Sequence, residues 1–183
     1  QLTRYNQLQI SLWGTESSAC VVLQRNGRAV ILDPDGFSAE SVARRLCAAS
    51  GVYAVDCVLA RAGDDGQLAR LETLQTRLPV QSAVLLGGEK EQQAMQLFGS
   101  SGRSGCGDGI ITVLDGLQVE VLFGDDGSCA MIVYYGDFTM LLCAGADGTL
   151  SRKLAARGQE FTAVYFRDTE ASARSFLTER RIA

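Results

Sequence analysis

Histidine does not occur anywhere in this chain of 183 residues. That absence removes the commonest general acid–base side chain and the commonest metal ligand together. Ser-His-Asp and Cys-His nucleophilic machinery are excluded, and so is any histidine-ligated metal centre. Six cysteines are present, at Cys20, Cys47, Cys57, Cys106, Cys129 and Cys143, but no two have Cys-x-x-Cys spacing. Zinc-ribbon and thioredoxin-type chemistry therefore has no sequence support. Cys20, Cys57 and Cys143 lie in apolar, strand-like runs, where a thiol behaves as a small buried hydrophobe. No apolar run approaches the roughly 20 residues needed to cross a bilayer, and no basic-then-apolar signal segment opens the chain. Gln1 is not preceded by an initiator Met, and the expectation is a piece of a longer protein. A net charge of -4 gives no general attraction for phosphate backbones. Only 2 prolines occur against 20 glycines, most of them in short turns. That balance favours one globular domain with many tight connections.

What is present is a regular succession of elements. Leu8–Trp13 alternates as a strand, and Ala19–Gln24 and Ala29–Leu32 follow as two more around Asn26-Gly27, a strong hairpin signal. Apolar residues at helical spacing predict a helix over Ala39–Ala49, and Val55–Ala60 reads as a short strand covered on both faces. Asp65–Leu78 is an amphipathic helix ended by Pro79, with a strand at Gln81–Leu86 and a helix at Glu89–Phe98 after it. Gly99–Gly109 (GSSGRSGCGDG) reads as a flexible linker between halves 1–98 and 110–183. It lacks the Gly-Lys-Ser/Thr ending of a phosphate loop. Hairpins Ile110–Leu114/Leu117–Phe123 and Cys129–Tyr135/Phe138–Cys143 follow, then a helix at Thr149–Ala156, a strand at Phe161–Phe166 and a helix at Thr169–Arg180. Each half runs from antiparallel strands into alternating helix and strand. Two such β-then-α halves packed sheet to sheet predict an α/β (α+β) domain built as a four-layer αββα sandwich.

Several strings in this order resemble the metallo-β-lactamase fold, and more narrowly the soluble domain of ComEC-type DNA-uptake competence proteins. LQISLWGTESSACVVLQ (8–24) is similar to that family's opening strands, and AVILDPDG (29–36) to its apolar strand ending in Asp and Gly. Val55–Leu71 resembles its strand, metal loop and helix, and Leu117–Gly148 its later hairpins. The resemblance places the family's loop of histidines and aspartate at Arg61, Gly63, Asp65 and Gly66, with Asp64 between them. Its metal-bridging aspartate falls at Ala146 beside Asp147, and its last histidine near Arg167-Asp168. Only Asp65 keeps an ionisable oxygen ligand at those places. Two-metal hydrolysis of a phosphodiester, which the resemblance would imply, has no ligand set to run on.

The resulting expectation is a degenerate, non-catalytic member with a vestigial site and neither zinc nor a small-molecule cofactor. It would be a structural or interaction module of a larger integral membrane channel protein, partnered by the rest of that protein, with DNA contact left open. Arg61 and Arg167 are expected to replace the metal charge by pairing with nearby carboxylates such as Asp65 and Asp147. The alternative is a phosphodiesterase or nuclease using Mg²⁺ or Ca²⁺ held by carboxylates alone. Asp33, Asp35, Asp64, Asp65, Asp147 and Asp168 would gather at one end of the sandwich for that purpose. A third reading is a small-ligand binding protein using the vestigial cleft. Against the metal stands a plainer reading of the same residues: Asp-Gly pairs make turns, and Asp64 or Asp65 caps the following helix.

Overall fold

The computed structural model describes residues 7–15, 18–33, 39–105, 107–143 and 148–166. Its contacts divide the chain into two compact units, Gln1–Cys106 and Gly107–Ala183. The first unit opens with β1 (Gln9–Thr15), β2 (Ser18–Arg25) and β3 (Arg28–Asp33), paired antiparallel in chain order. The turn between β2 and β3 has φ of 52° at Asn26 and 76° at Gly27. Two successive positive φ values define the hairpin turn whose twist matches that of its strands, and Asn-Gly is the pair that adopts it most cheaply.

After β3 the chain alternates: α1 (Ala39–Ser50), β4 (Cys57–Ala60), α2 (Asp65–Arg77), β5 (Ala83–Leu85), α3 (Glu91–Phe98) and β6 (Gly102–Ser104). The strands lie in the order β1-β2-β3-β4-β5-β6, with β3 to β6 parallel. Every residue of β4 and β5 is buried, so these strands are continuous apolar runs without alternation. One core gathers Val22 and Ile31 from the hairpin, Val42 and Leu46 from α1, Val58 from β4, and Leu71 and Leu74 from α2. Arg28 closes the far end of β4, its guanidinium donating to Asp56 at 2.7 Å while the Ala29 N–H reaches the other carboxylate oxygen at 3.2 Å.

Residues 99–104 differ from the expected linker. Gly99–Ser101 form a 3-10 turn, and β6 pairs with β5 from Ala83 opposite Gly102 to Leu85 opposite Ser104. The polar, glycine-rich composition hid this strand because an edge strand needs backbone pairing and little side-chain burial. The chain leaving β6 passes close to β5 at Gly105, where a Cβ would lie 2.5 Å from Val84 Cγ1.

The second unit holds β7 (Gly109–Leu114), β8 (Leu117–Phe123), β9 (Cys129–Tyr135), β10 (Phe138–Cys143), α4 (Gly148–Ala156) and β11 (Ala163–Phe166). Its sheet runs β11-β10-β9-β8-β7, antiparallel except for the β10–β11 pair. Leu150 and Leu154 of α4 pack with Leu122, Ile132 and Leu141. The two units together give a mixed α/β chain with two sheets and, among the described residues, four helices. The helix expected at Thr169–Arg180 lies outside the described residues.

One ion pair reaches the edge of this second core, its carboxylate buried and its guanidinium exposed. Glu120 of β8 is 5% exposed, and both its oxygens meet the Arg157 guanidinium, at 2.6 and 2.9 Å. The Tyr134 hydroxyl donates to Glu120 Oε2 at 2.8 Å. Burial, reinforced by this bond to a carboxylate, raises the Tyr134 phenol above its ordinary value. Nearby, Lys153 of α4 donates to the Phe123 carbonyl at 2.7 Å and pairs with Asp108 at 2.8 Å. Replacing Glu120 by Ala removes the two-point partner of Arg157 and leaves the Tyr134 hydroxyl only the Gln159 Oε1, at 3.2 Å, as an acceptor. It should cost about 2–3 kcal/mol of stability by urea denaturation, reduced from a fully buried pair by the exposure of Arg157.

Asp108 supplies a pH dependence. Burial raises its carboxyl, but the Lys153 side chain, the Phe123 N–H and the Lys153 and Arg157 charges outweigh burial and hold it below the ordinary value. Its stabilisation is complete above the unfolded aspartate pKa and is lost as pH falls through the lower folded value. Thermal melts taken from neutral pH into the acid range should show a shallower acid loss for Asp108→Asn than for the parent.

Candidate functional site

In the parallel part of a sheet, loops leaving the carboxyl ends of the strands form the usual site for chemistry. Here Asp33 and Ala60 stand opposite each other at the ends of β3 and β4, and residues 61–64 lead from β4 into α2. Asp64 is the N-cap of α2. Its backbone is extended (φ -143°, ψ 173°), and its carboxylate accepts from the Gln67 N–H at 2.7 Å. Gln67 answers with its own side chain, whose Oε1 accepts from the Gly63 N–H at 2.6 Å. The exchange is close to a capping box, and Asp64-x-x-Gln67 is its sequence signature.

Asp65, the first residue of α2, is exposed, and one of its oxygens lies 2.7 Å from Lys90 Nζ. The expectation sets Arg61 and Arg167 against carboxylates such as Asp65 and Asp147; for the part within the described residues, Asp65 meets Lys90 and not Arg61. Arg61 is half-buried and makes no ion pair among the described residues. Chain direction explains the difference: Lys90 arrives from the neighbouring loop, between β5 and α3, in line with Asp65. Hydrogen bonding to Asp65 and the attraction of its charge raise the Lys90 ammonium above the usual lysine value. Gly63 is half-buried and Gly66 exposed in the first turn of α2. Asp147, Arg167 and Asp168 lie outside the described residues, as does Asp35.

The loop after β5 is docked on the loop after β4 through backbone. The Leu86 N–H donates to the Ala60 carbonyl at 2.9 Å, Ala62 N–H to Gly87 O at 3.2 Å, and Lys90 N–H to Ala62 O at 2.8 Å. Gly88 sits in this contact with φ of 119°, and a Cβ there would lie 2.3 Å from Ala62 O. No side chain fits, and the backbone angle is itself glycine-specific. Sequence reading missed Gly87, Gly88 and Lys90. The available signal was a Gly-Gly pair directly after a strand.

Behind the loop a small pocket in the first unit has room for about one water molecule. Cys20, Asp33, Arg70 and Leu74 are among its lining residues. Asp33 is buried, and the Arg70 Nε is buried without a hydrogen-bond partner. Burial, followed by the Asp33 charge, pushes the Cys20 thiol well above its ordinary value, and burial pushes Cys57 up to about 11. Thiols held protonated in this way are poor nucleophiles. Cys20, Cys47 and Cys57 are free thiols; Cys106 lies outside the described residues.

No family model and no curated protein matches the chain. Solved structures do. Zn²⁺-bound PqqB from Methylobacterium extorquens is similar at a TM-score of 0.53 and 14% identity, over 81% of this chain and 56% of that one. A metallo-β-lactamase from Staphylococcus aureus matches at 0.59 and 11% identity, over 92% of this chain and 58% of its own. A Cronobacter sakazakii metallo-β-lactamase described by its HARLDQ motif matches at 0.65 and 13% identity, over 91% and 80%. This is the metallo-β-lactamase fold. The chain spans little more than half the length of the first two structures, and at these identities the likeness carries the fold alone.

Within the metallo-β-lactamase fold the β4–α2 loop depends on its close contact with Gly88. Gly88→Ala should destabilise the protein by about 2–4 kcal/mol, from positive-φ strain plus displacement of Ala62. Chemical denaturation checks this, with Gly105→Ala as a second close-approach glycine lacking the positive φ.

Proposed function

We propose that this chain is a non-catalytic metallo-β-lactamase-fold domain acting as a structural or interaction module. The observation that carries the reading is the state of the β4–α2 loop. Its polar groups are engaged with the protein itself: Gly63 by Gln67, Asp64 by the start of α2, Ala62 by Gly87 and Lys90, and Asp65 by Lys90. Zinc, which PqqB holds, needs three or four nitrogen, sulfur or oxygen donors. This chain has no histidine. Among the described residues no three His, Cys, Asp or Glu side chains gather to hold a metal. The absence of histidine and the donors among the described residues support a reading without zinc.

The strings that resemble ComEC-type proteins extend the proposal. The domain would belong to a larger membrane protein of DNA uptake, with the remainder of that channel protein as its partner. No helix among the described residues is long and apolar enough to cross a membrane. The competing reading is a phosphodiesterase or nuclease with Mg²⁺ or Ca²⁺ on carboxylates. It asks Asp64 and Asp65 to give up a helix cap and an ion pair.

Calorimetric titration with Zn²⁺, Mn²⁺, Mg²⁺ and Ca²⁺ should give no binding heat. Phosphodiester cleavage of single- and double-stranded DNA should stay at the level of a protein-free control with each ion. Metal-dependent cleavage that Asp65→Asn abolishes would establish the hydrolase instead.

A further inference from the structure

Lys90 stands where local preference would not put it. It is the N-cap of α3, its side chain makes no capping hydrogen bond, and its charge lies at the positive end of the helix dipole. Ser, Thr, Asp or Asn there would satisfy an unpaired N–H of the helix. Yet this residue holds both ends of the β4–α2 loop: its backbone N–H bonds Ala62 O at 2.8 Å, and its ammonium lies 2.7 Å from the Asp65 carboxylate. Gly88 lets the two backbones close to that distance, and the Glu91 N–H turns back to Gly88 O at 3.2 Å. The helix start is therefore used to deliver a cation to the neighbouring loop. A departure from local propensity is expected where another contact compensates it.

We infer that Lys90 is the built-in cation of the β4–α2 loop, holding Asp65 in place of any metal ion and positioning residues 61–66 without one. The inference rests on the non-catalytic reading and supplies its physical means. A divalent ion at Asp65 would have to displace an ammonium already in hydrogen-bond contact, and would then face that ammonium's repulsion at short range. Asp65 is exposed and Lys90 half-buried, so the pair's effect is local ordering of the loop with little effect on global stability.

Lys90→Asn separates the two roles, because asparagine is a better N-cap and removes the charge. Amide hydrogen exchange of the intact chain reads the loop and the helix separately. If Lys90 positions the loop, amides of 62–67 should exchange roughly two- to fivefold faster in Lys90→Asn. The α3 amides should be unchanged or slower, and Lys90→Arg should restore the loop. Loop exchange equal to the parent's in Lys90→Asn overturns the inference. Adding Zn²⁺ or Mn²⁺ to the parent should leave loop exchange as it was, whereas slower exchange would show a bound metal and bring down the non-catalytic reading as well. With no metal response and no effect of Lys90→Asn, only the role of Lys90 falls.

Discussion

The contact between Ala62 and Gly88 governs the geometry of everything around the β4–α2 loop. Two adjacent parallel strands end side by side, and the chain leaving each must turn back into a helix on the sheet. The backbones can share one set of hydrogen bonds only if nothing projects between them, and a Cβ at 2.3 Å from a carbonyl oxygen would prevent that. Gly88 therefore lets Leu86, Ala62 and Lys90 make their inter-loop bonds. Those bonds fix where α2 and α3 begin, and so where Asp64, Asp65 and Lys90 can reach.

With the backbone held in this way, the exposed Asp64 and Asp65 are engaged by neighbouring groups of the protein. Asp64 accepts from the Gln67 N–H across the first turn of α2, the Gln67 side chain accepts from the Gly63 N–H, and Lys90 pairs with Asp65. In a metal site the same positions would present donors outward to a shared point. A fold can keep its scaffold while the chemistry placed on it changes. The second unit is tied by a different means, a cluster in which the buried Glu120 of β8 meets Tyr134 of β9 and the exposed Arg157 just after α4. That carboxylate is costly to bury and its burial becomes favourable only when every member has a partner.

Elements with strong periodicity were readable in advance. The Asn26-Gly27 hairpin, the helix after Asp64, the both-faces-buried β4 and the paired hairpins of the second unit follow from short-range patterns, and they form as those patterns dictate. The capping role of Asp64 was among the readings that the Asp-Gly turns allowed, and the structure places it there. β6 was not readable, because three residues of Gly-Arg-Ser carry no hydrophobic period and join the sheet through backbone bonds to β5. Lys90 was not readable as a partner of Asp65 for a similar reason. A lysine in a polar loop carries no mark of what lies across from it, and its partner is set by strand order.

The sequence by itself determined what this protein cannot do with imidazole, where most of its strands and helices begin, and which loop would stand at the carboxyl end of β4. These are local or compositional facts, settled by residue type and spacing. Only the tertiary structure decided which cation meets Asp65, that 99–104 completes a sheet, and that Gly88 has no room for a side chain. Each of these depends on segments far apart in the chain being brought within a few ångströms, and no short-range pattern carries that information.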